Sequence, residues 1–277
     1  MKTPLKFDTI QVHGGYEPSG PDRPRAVPIC QSTSFSFRSA EHAAGLFAGS
    51  EAGHIYSRMS NPTMEVLENR ISLLEGGVGT VAFASGSAAI LASVLNLARS
   101  GDEVISSKAL YGGTTHLFTS TLRDLGITVR LVDINDFSRL EEAFSERTRA
   151  VFTETIGNPM NTVADLKEIA GIAHAHGVPL IVDSTVTTPW LLKPFEHGAD
   201  IVVHSLTKFM GGHGVSIGGS VTDSGRFSWE GFEKLSKPDE AMHGIDFSKT
   251  FGERAYIERL RAAILRDAGP CMSPFNA

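Results

Sequence analysis

Two cysteines are all the chain carries, Cys30 and Cys271, and neither sits in a ligand-like spacing. That scarcity excludes a disulfide framework or a cysteine-held metal and fits a reduced compartment, the cytoplasm. Positive charge is not in excess either. The formal net charge is −6, which removes the electrostatic case for a nucleic-acid partner. No apolar run follows the amino terminus, where Lys2, Lys6 and Asp8 lie, so no secretory signal is visible. One uncharged stretch, 76–98, has the length of a membrane span. It is broken by Gly79 and by Ser85-Gly86-Ser87 and begins like a strand, so a buried strand-turn-helix unit is expected and no membrane partner. Phosphate loops, G-x-G-x-x-G and H-E-x-x-H are all missing, and no metal is expected. What remains is an ordinary globular balance, 41% apolar and 20% charged, over 277 residues.

Residues 1–60 are punctuated by Pro18, Pro21, Pro24 and Pro28 and show little periodicity. They read as an extended arm that packs on a neighbouring subunit. From residue 61 to 277 an α/β domain is expected. Helical spacing appears at 63–74, 88–98, 114–125, 138–144, 165–176 and 256–266. Short apolar runs that read as strands fall at 80–84, 103–106, 129–132, 150–153, 180–182, 201–203 and 219–222. This alternation predicts an α/β fold with a mostly parallel sheet and helices on both faces. Residues 223–251 lose periodicity and read as an insertion over one edge. The chain stops at Phe275-Asn276-Ala277 with no polar tail, as though cut.

The chemistry is expected at the strand ends. Ser85-Gly86-Ser87 lies between a strand and a helix, where free amides and the helix dipole suit a phosphate. Tyr111-Gly112-Gly113 offers an aromatic face, 154–159 a carboxylate and an amide, and Asp183 a second carboxylate. Lys208, framed by Ser205 and Thr207, is a candidate Schiff-base nucleophile. Together these describe a site for a flat, phosphorylated, nitrogen-containing aldehyde, pyridoxal 5′-phosphate. An aspartate facing the ring nitrogen keeps the ring able to accept electrons.

The segments Tyr56-Ser57-Arg58, Ser85-Gly86, Tyr111-Gly112-Gly113, 154–159, Asp183 and Ser205-x-Thr207-Lys208 resemble the Cys/Met-metabolism (trans-sulfuration) family of fold-type I pyridoxal-phosphate enzymes. Residues 55–58, 154–159, 194–200 and 211–214 and the 223–251 insertion are similar to its branch acting on O-acetylhomoserine. The resemblance implies a fold-type I large domain in a homo-oligomer, a dimer or homotetramer, with a small amino-acid substrate. It implies that Lys208 attaches the cofactor and later moves protons. Asp183 would pair with the ring nitrogen, Tyr111 stack on the ring, and Asn158 bond the ring's 3′-oxygen. Gly86, Ser87, Ser205 and Thr207 would hold the phosphate, joined by Tyr56 and Arg58 from a neighbouring subunit. Ser87 stands where many relatives carry Met or Gln, so its amide is the expected contact. Relatives also have a C-terminal domain with an arginine for the substrate's α-carboxylate, so that domain is expected to be absent or truncated here. The implied reaction is γ-replacement on O-acetyl-L-homoserine by sulfide or a thiol, giving homocysteine or methionine. A γ-lyase, an O-succinylhomoserine γ-synthase and a non-catalytic cofactor-binding fragment stay open.

Two motifs point elsewhere. Residues 214–218 fit G-x-S-x-G and 205–208 fit S-x-x-K. A nucleophile elbow needs a helix after its serine, whereas a strand-like run follows Ser216. His174 and His176 lie two apart on a helix and diverge, and His204 reads as a satisfied histidine at a strand end.

Overall fold

Ser39 accepts the His42 N–H at 3.1 Å and starts a helix inside what the composition presents as an unbroken arm. The computed structural model describes residues 5–277. Within that arm lie α1 (Phe7–His13) and α2 (Ala40–Phe47), while the segments around them have no regular structure beyond a Ser34–Tyr56 bridge. Helices of this length show too few turns for a hydrophobic period, and α1 buries no residue at all. The arm ends at α3 (Pro62–Glu75). Asn61 accepts the Thr63 N–H at 2.9 Å, and proline takes the first turn, where its missing N–H costs nothing.

The alternation follows the expected order: β1 (Gly79–Phe83), α4 (Gly86–Leu97), β2 (Glu103–Ser107), α5 (Gly112–His116), β3 (Thr128–Val132), α6 (Phe137–Glu142), β4 (Thr148–Glu154), α7 (Leu166–Ala175), β5 (Leu180–Asp183), β6 (Ile201–His204) and β7 (Gly219–Asp223). Helix α5 widens into a π-type segment, Leu117–Leu122. The seven strands among the described residues form one sheet in the order β1-β7-β6-β5-β4-β2-β3. Only β7 runs against its neighbours, pairing antiparallel with both β1 and β6. Every other strand therefore brings its carboxyl end to the same side of the sheet.

Alternate side chains fill two cores. Val81, Phe83, Ile181, Ile201 and Val203 face α4, which is apolar nearly all round and buried under a helical rod beginning at Ala255–Arg259. Val151, Leu180, Val182 and Val202 face the other way, onto Leu140, Ile169 and Ala173 of α6 and α7. Each such side chain contributes about 1.5–3 kcal/mol through burial. The 223–251 segment is not laid over an edge. Trp229, Phe232, Leu235, Met242 and Phe247 belong to the α4 core, and Trp229 stacks on Tyr256 at 5.1 Å. The Lys234 ammonium caps α4 by donating to the carbonyls of Leu95 at 2.8 Å and Ala98 at 2.6 Å. Its helices, Glu233–Ser236 and Phe247–Phe251, are again too short to show a period.

Asp223 closes β7 at the end of the sheet away from the parallel carboxyl ends. Its Oδ1 accepts the Gly225 N–H at 2.9 Å, and its Oδ2 is buried with no partner among the described residues. Burial pushes this carboxyl up to about 7, and the nearby Asp200 adds to the rise. The folded state therefore keeps a proton that the unfolded chain releases near 3.8, so stability falls as pH rises through this window. Asp223→Asn cannot ionise. Its stability relative to wild type is expected to improve by roughly 2–4 kcal/mol between pH 4 and pH 8, read by chemical denaturation at each pH. A pH-independent difference would refute this.

Candidate active site

At the carboxyl end of β1 the chain turns directly into α4. Ser85 caps the helix by accepting the Ala88 N–H at 3.1 Å. The N–H groups of Gly86 and Ser87 then have no acceptor among the described residues and face a cavity. Glycine at 86 is a steric requirement: a Cβ there would lie 2.6 Å from the Ser205 Cβ and 2.9 Å from its Cα. The first turn of α4 and the segment after β6 can thus touch. The cavity that opens over them is about 680 Å³, and it is lined at its base by Asp183, Glu154, Asn158, Tyr111, Thr207 and Lys208.

Asp183 ends β5 and is buried. Its Oδ1 accepts both the Thr185 N–H at 2.9 Å and the Thr185 hydroxyl at 2.5 Å. Oδ2 has no hydrogen-bond partner among the described residues. Burial pushes this carboxyl above the usual range, with the Thr185 bonds and His204 acting against the shift. Thr185 also accepts the Ser205 N–H at 2.8 Å, so one threonine couples the aspartate to the lysine segment. Glu154 ends β4. Its Oε1 accepts the Tyr111 N–H at 2.7 Å and its Oε2 the Asn158 N–H at 3.1 Å. Burial carries it up to about 7; the charge of Asp183 adds to the rise and these two N–H groups oppose it.

Lys208 follows β6 in a turn and is exposed to the cavity, its side chain engaged by no hydrogen bond or ion pair among the described residues. Thr207 is committed locally: its hydroxyl donates to the Gly218 carbonyl at 3.2 Å and accepts the Gly218 N–H at 3.1 Å. Its one proton would have to leave Gly218 to reach a phosphate. The Tyr111 ring lies over Gly113, and Asn158 stands on the loop after β4.

Eight of the ten residues singled out from the sequence therefore line one cavity: Gly86, Ser87, Tyr111, Asn158, Asp183, Ser205, Thr207 and Lys208. Tyr56 and Arg58 do not. Arg58 donates to the Arg266 carbonyl and its guanidinium sits 5.4 Å from the Tyr56 ring centroid. Thr185 is a functional residue that motif reading passes over, and Glu154, read from the sequence only as the carboxylate of 154–159, gains its partners here. Thr185, two residues after Asp183, has a local signature, the side-chain turn that an aspartate makes with the residue two ahead. Glu154 has none, because its partner at Tyr111 is 43 residues away. The hydrolase motifs lead nowhere: Ser216 sits in a loop that runs into β7, with no helix after it. His204 is buried against Glu75, and His174 and His176 bind different carboxylates, Asp200 and Glu141.

The donor set fits pyridoxal 5′-phosphate. An unpartnered carboxylate oxygen on Asp183, disfavoured by burial, calls for a cationic ring nitrogen, and the free amides of α4 call for a phosphate. The family described as Cys/Met metabolism PLP-dependent enzyme matches residues 8–277. An O-acetyl-L-homoserine sulfhydrylase of Leptospira meyeri is 45% identical over 100% of this chain and 65% of its own length. A homocysteine synthase of Schizosaccharomyces pombe is 46% identical over 98% of this chain and 64% of its own. The chain thus spans just under two thirds of the curated relatives it matches. A crystal structure from Campylobacter jejuni containing N′-pyridoxyl-lysine-5′-monophosphate superposes with a TM-score of 0.94 at 38% identity, over 98% of this chain and 68% of that one.

Proposed function

Because the chain belongs to the Cys/Met metabolism PLP-dependent enzyme family, we propose that it carries the cofactor site of a γ-replacement enzyme acting on O-acetyl-L-homoserine. The observation that carries this reading is the convergence of Lys208, Asp183, Tyr111, Asn158 and the α4 amides on one cavity. Bound there, pyridoxal 5′-phosphate supplies an electron sink for charge that develops on the substrate's carbons. Lys208 would hold the cofactor, and its Nζ is the group placed to take the proton from the substrate's Cα. Asp183 keeps the ring nitrogen protonated. Tyr111 covers one ring face, Asn158 bonds the 3′-oxygen, and Gly86, Ser87, Ser205 and Thr207 receive the phosphate. In the net reaction the Cγ–O bond breaks, acetate leaves, and a Cγ–S bond forms with sulfide or a thiol, giving homocysteine or methionine.

The domain reading is that 1–60 serves as an inter-subunit arm and 61–277 as the cofactor domain. Tyr56 and Arg58, lying outside their own chain's cavity, support a homo-oligomer, a dimer or a homotetramer, in which they reach the phosphate of a neighbouring copy. A cytoplasmic setting is part of the same reading; no described helix is long and apolar enough to cross a membrane. Given the cofactor, O-acetyl-L-homoserine and sulfide, the purified chain is expected to release homocysteine and acetate and to spare O-succinyl-L-homoserine. Cofactor binding without turnover would overturn the proposed reaction. Formation of 2-oxobutanoate and ammonia would replace it with γ-elimination.

A further inference from the structure

We propose that Glu154 is a positioning residue whose single carboxylate holds the main chains of Tyr111 and Asn158 at a fixed separation and so sets the slot for the cofactor ring. The inference rests on the reading above, in which Tyr111 and Asn158 flank that ring. Three features of the chain itself support it. First, each Glu154 oxygen takes one N–H, from Tyr111 at 2.7 Å and from Asn158 at 3.1 Å, and neither N–H has another acceptor among the described residues. Other main-chain bonds anchor the starts of these loops, Lys108 N–H to the Val132 carbonyl and Thr155 N–H to the Asp183 carbonyl, and do not reach Tyr111 or Asn158 N–H. Second, the tether starts from the middle of the sheet. Glu154 is buried and in register with Asp183 on β5, so the two carboxylates move as one body. Third, the loops after β2 and β4 are in backbone contact. A Cβ on Gly157 would lie 2.5 Å from the Ala109 carbonyl oxygen, a closeness that only glycine permits.

Each oxygen of Glu154 faces one main-chain N–H donor. Its action is through Tyr111 and Asn158. A carboxylate can accept from both, whereas an amide offers one acceptor and turns an NH₂ against the second N–H. Glu154→Gln is therefore a nearly isosteric removal of half the tether.

In wild-type protein loaded with pyridoxal 5′-phosphate, the near-visible absorption band from Lys208 attachment should be present. Glu154→Gln should keep that band while its circular dichroism weakens, and the cofactor should dissociate roughly tenfold more readily. In the cofactor-free protein, amide exchange at Tyr111 or Asn158 should rise roughly tenfold, with exchange in the sheet unchanged. A wild-type protein that takes up no cofactor would overturn the functional reading and this inference with it. A wild-type band accompanied by unchanged dichroism, affinity and exchange in Glu154→Gln would overturn this inference alone. Should the variant not fold, wild-type exchange decides: protected Tyr111 and Asn158 amides support the tether, and free-loop rates refute it.

Discussion

Lys208→Ala is expected to come through desalting colourless after exposure to pyridoxal 5′-phosphate, and to lose turnover by roughly 10⁴-fold or more. The side chain is exposed in the cavity and makes no hydrogen bond or ion pair among the described residues. Its removal should therefore leave cofactor-free stability within about 0.5 kcal/mol of wild type. That separation matters, because loss of colour with intact stability assigns the effect to attachment chemistry. Difference absorption after gel filtration, beside a thermal melt, measures both. A persistent band would place attachment on a different lysine and break the link between Lys208 and the cavity.

Asp183→Asn should act in the opposite sense on stability and function. Without the cofactor, burial raises the Asp183 carboxyl above its ordinary 3.8, so its ionisation costs folding energy as pH rises. Asparagine keeps an oxygen for the two Thr185 bonds and does not ionise. The cofactor-free variant is therefore expected to be more stable than wild type at pH 8, with the gain shrinking towards pH 4. With the cofactor, an amide cannot hold the ring nitrogen's proton, and turnover should fall roughly 10²–10³-fold while the Lys208 band persists. Melting curves at two pH values and steady-state rates test the pair. Wild-type turnover in the variant would remove Asp183 from the electrostatic role.

The strands and their carboxyl-end residues were legible because both signals are local. A run such as Leu180 to Val182 switches from apolar to titratable within one residue, and Asp183 and Lys208 each follow such a switch. Their convergence also followed, since parallel strands place those switches on one side of the sheet. What could not be read depends on separation in space. The Glu154–Tyr111 bond joins loops that share no pattern. Burial of Trp229 and Phe232 depends on α4 being there to cover them, in a segment whose helices are one turn long. The commitment of the Thr207 hydroxyl to Gly218 likewise depends on the return of the chain into β7. Tyr56 and Arg58 carry a signal only through resemblance, and within one chain they lie outside the cavity.

The reversed strand β7 has a consequence for how the protein is made. β1 stands at the end of the sheet and pairs with β7, and the facing hydroxyls of Thr80 and Thr222 are 142 residues apart. At ordinary synthesis speeds β1 waits on the order of ten seconds on the ribosome before its partner emerges. Through that interval Val81 and Phe83, fully buried in the finished protein, belong to a strand with both edges open. The strands β2 to β6 can assemble first, since each pairs with a partner nearer in sequence than β1 does. The α4 amides and the lysine segment are then brought together last, when β7 slots between β1 and β6. Nascent chains that stall before residue 219 carry a sticky strand and no phosphate pocket.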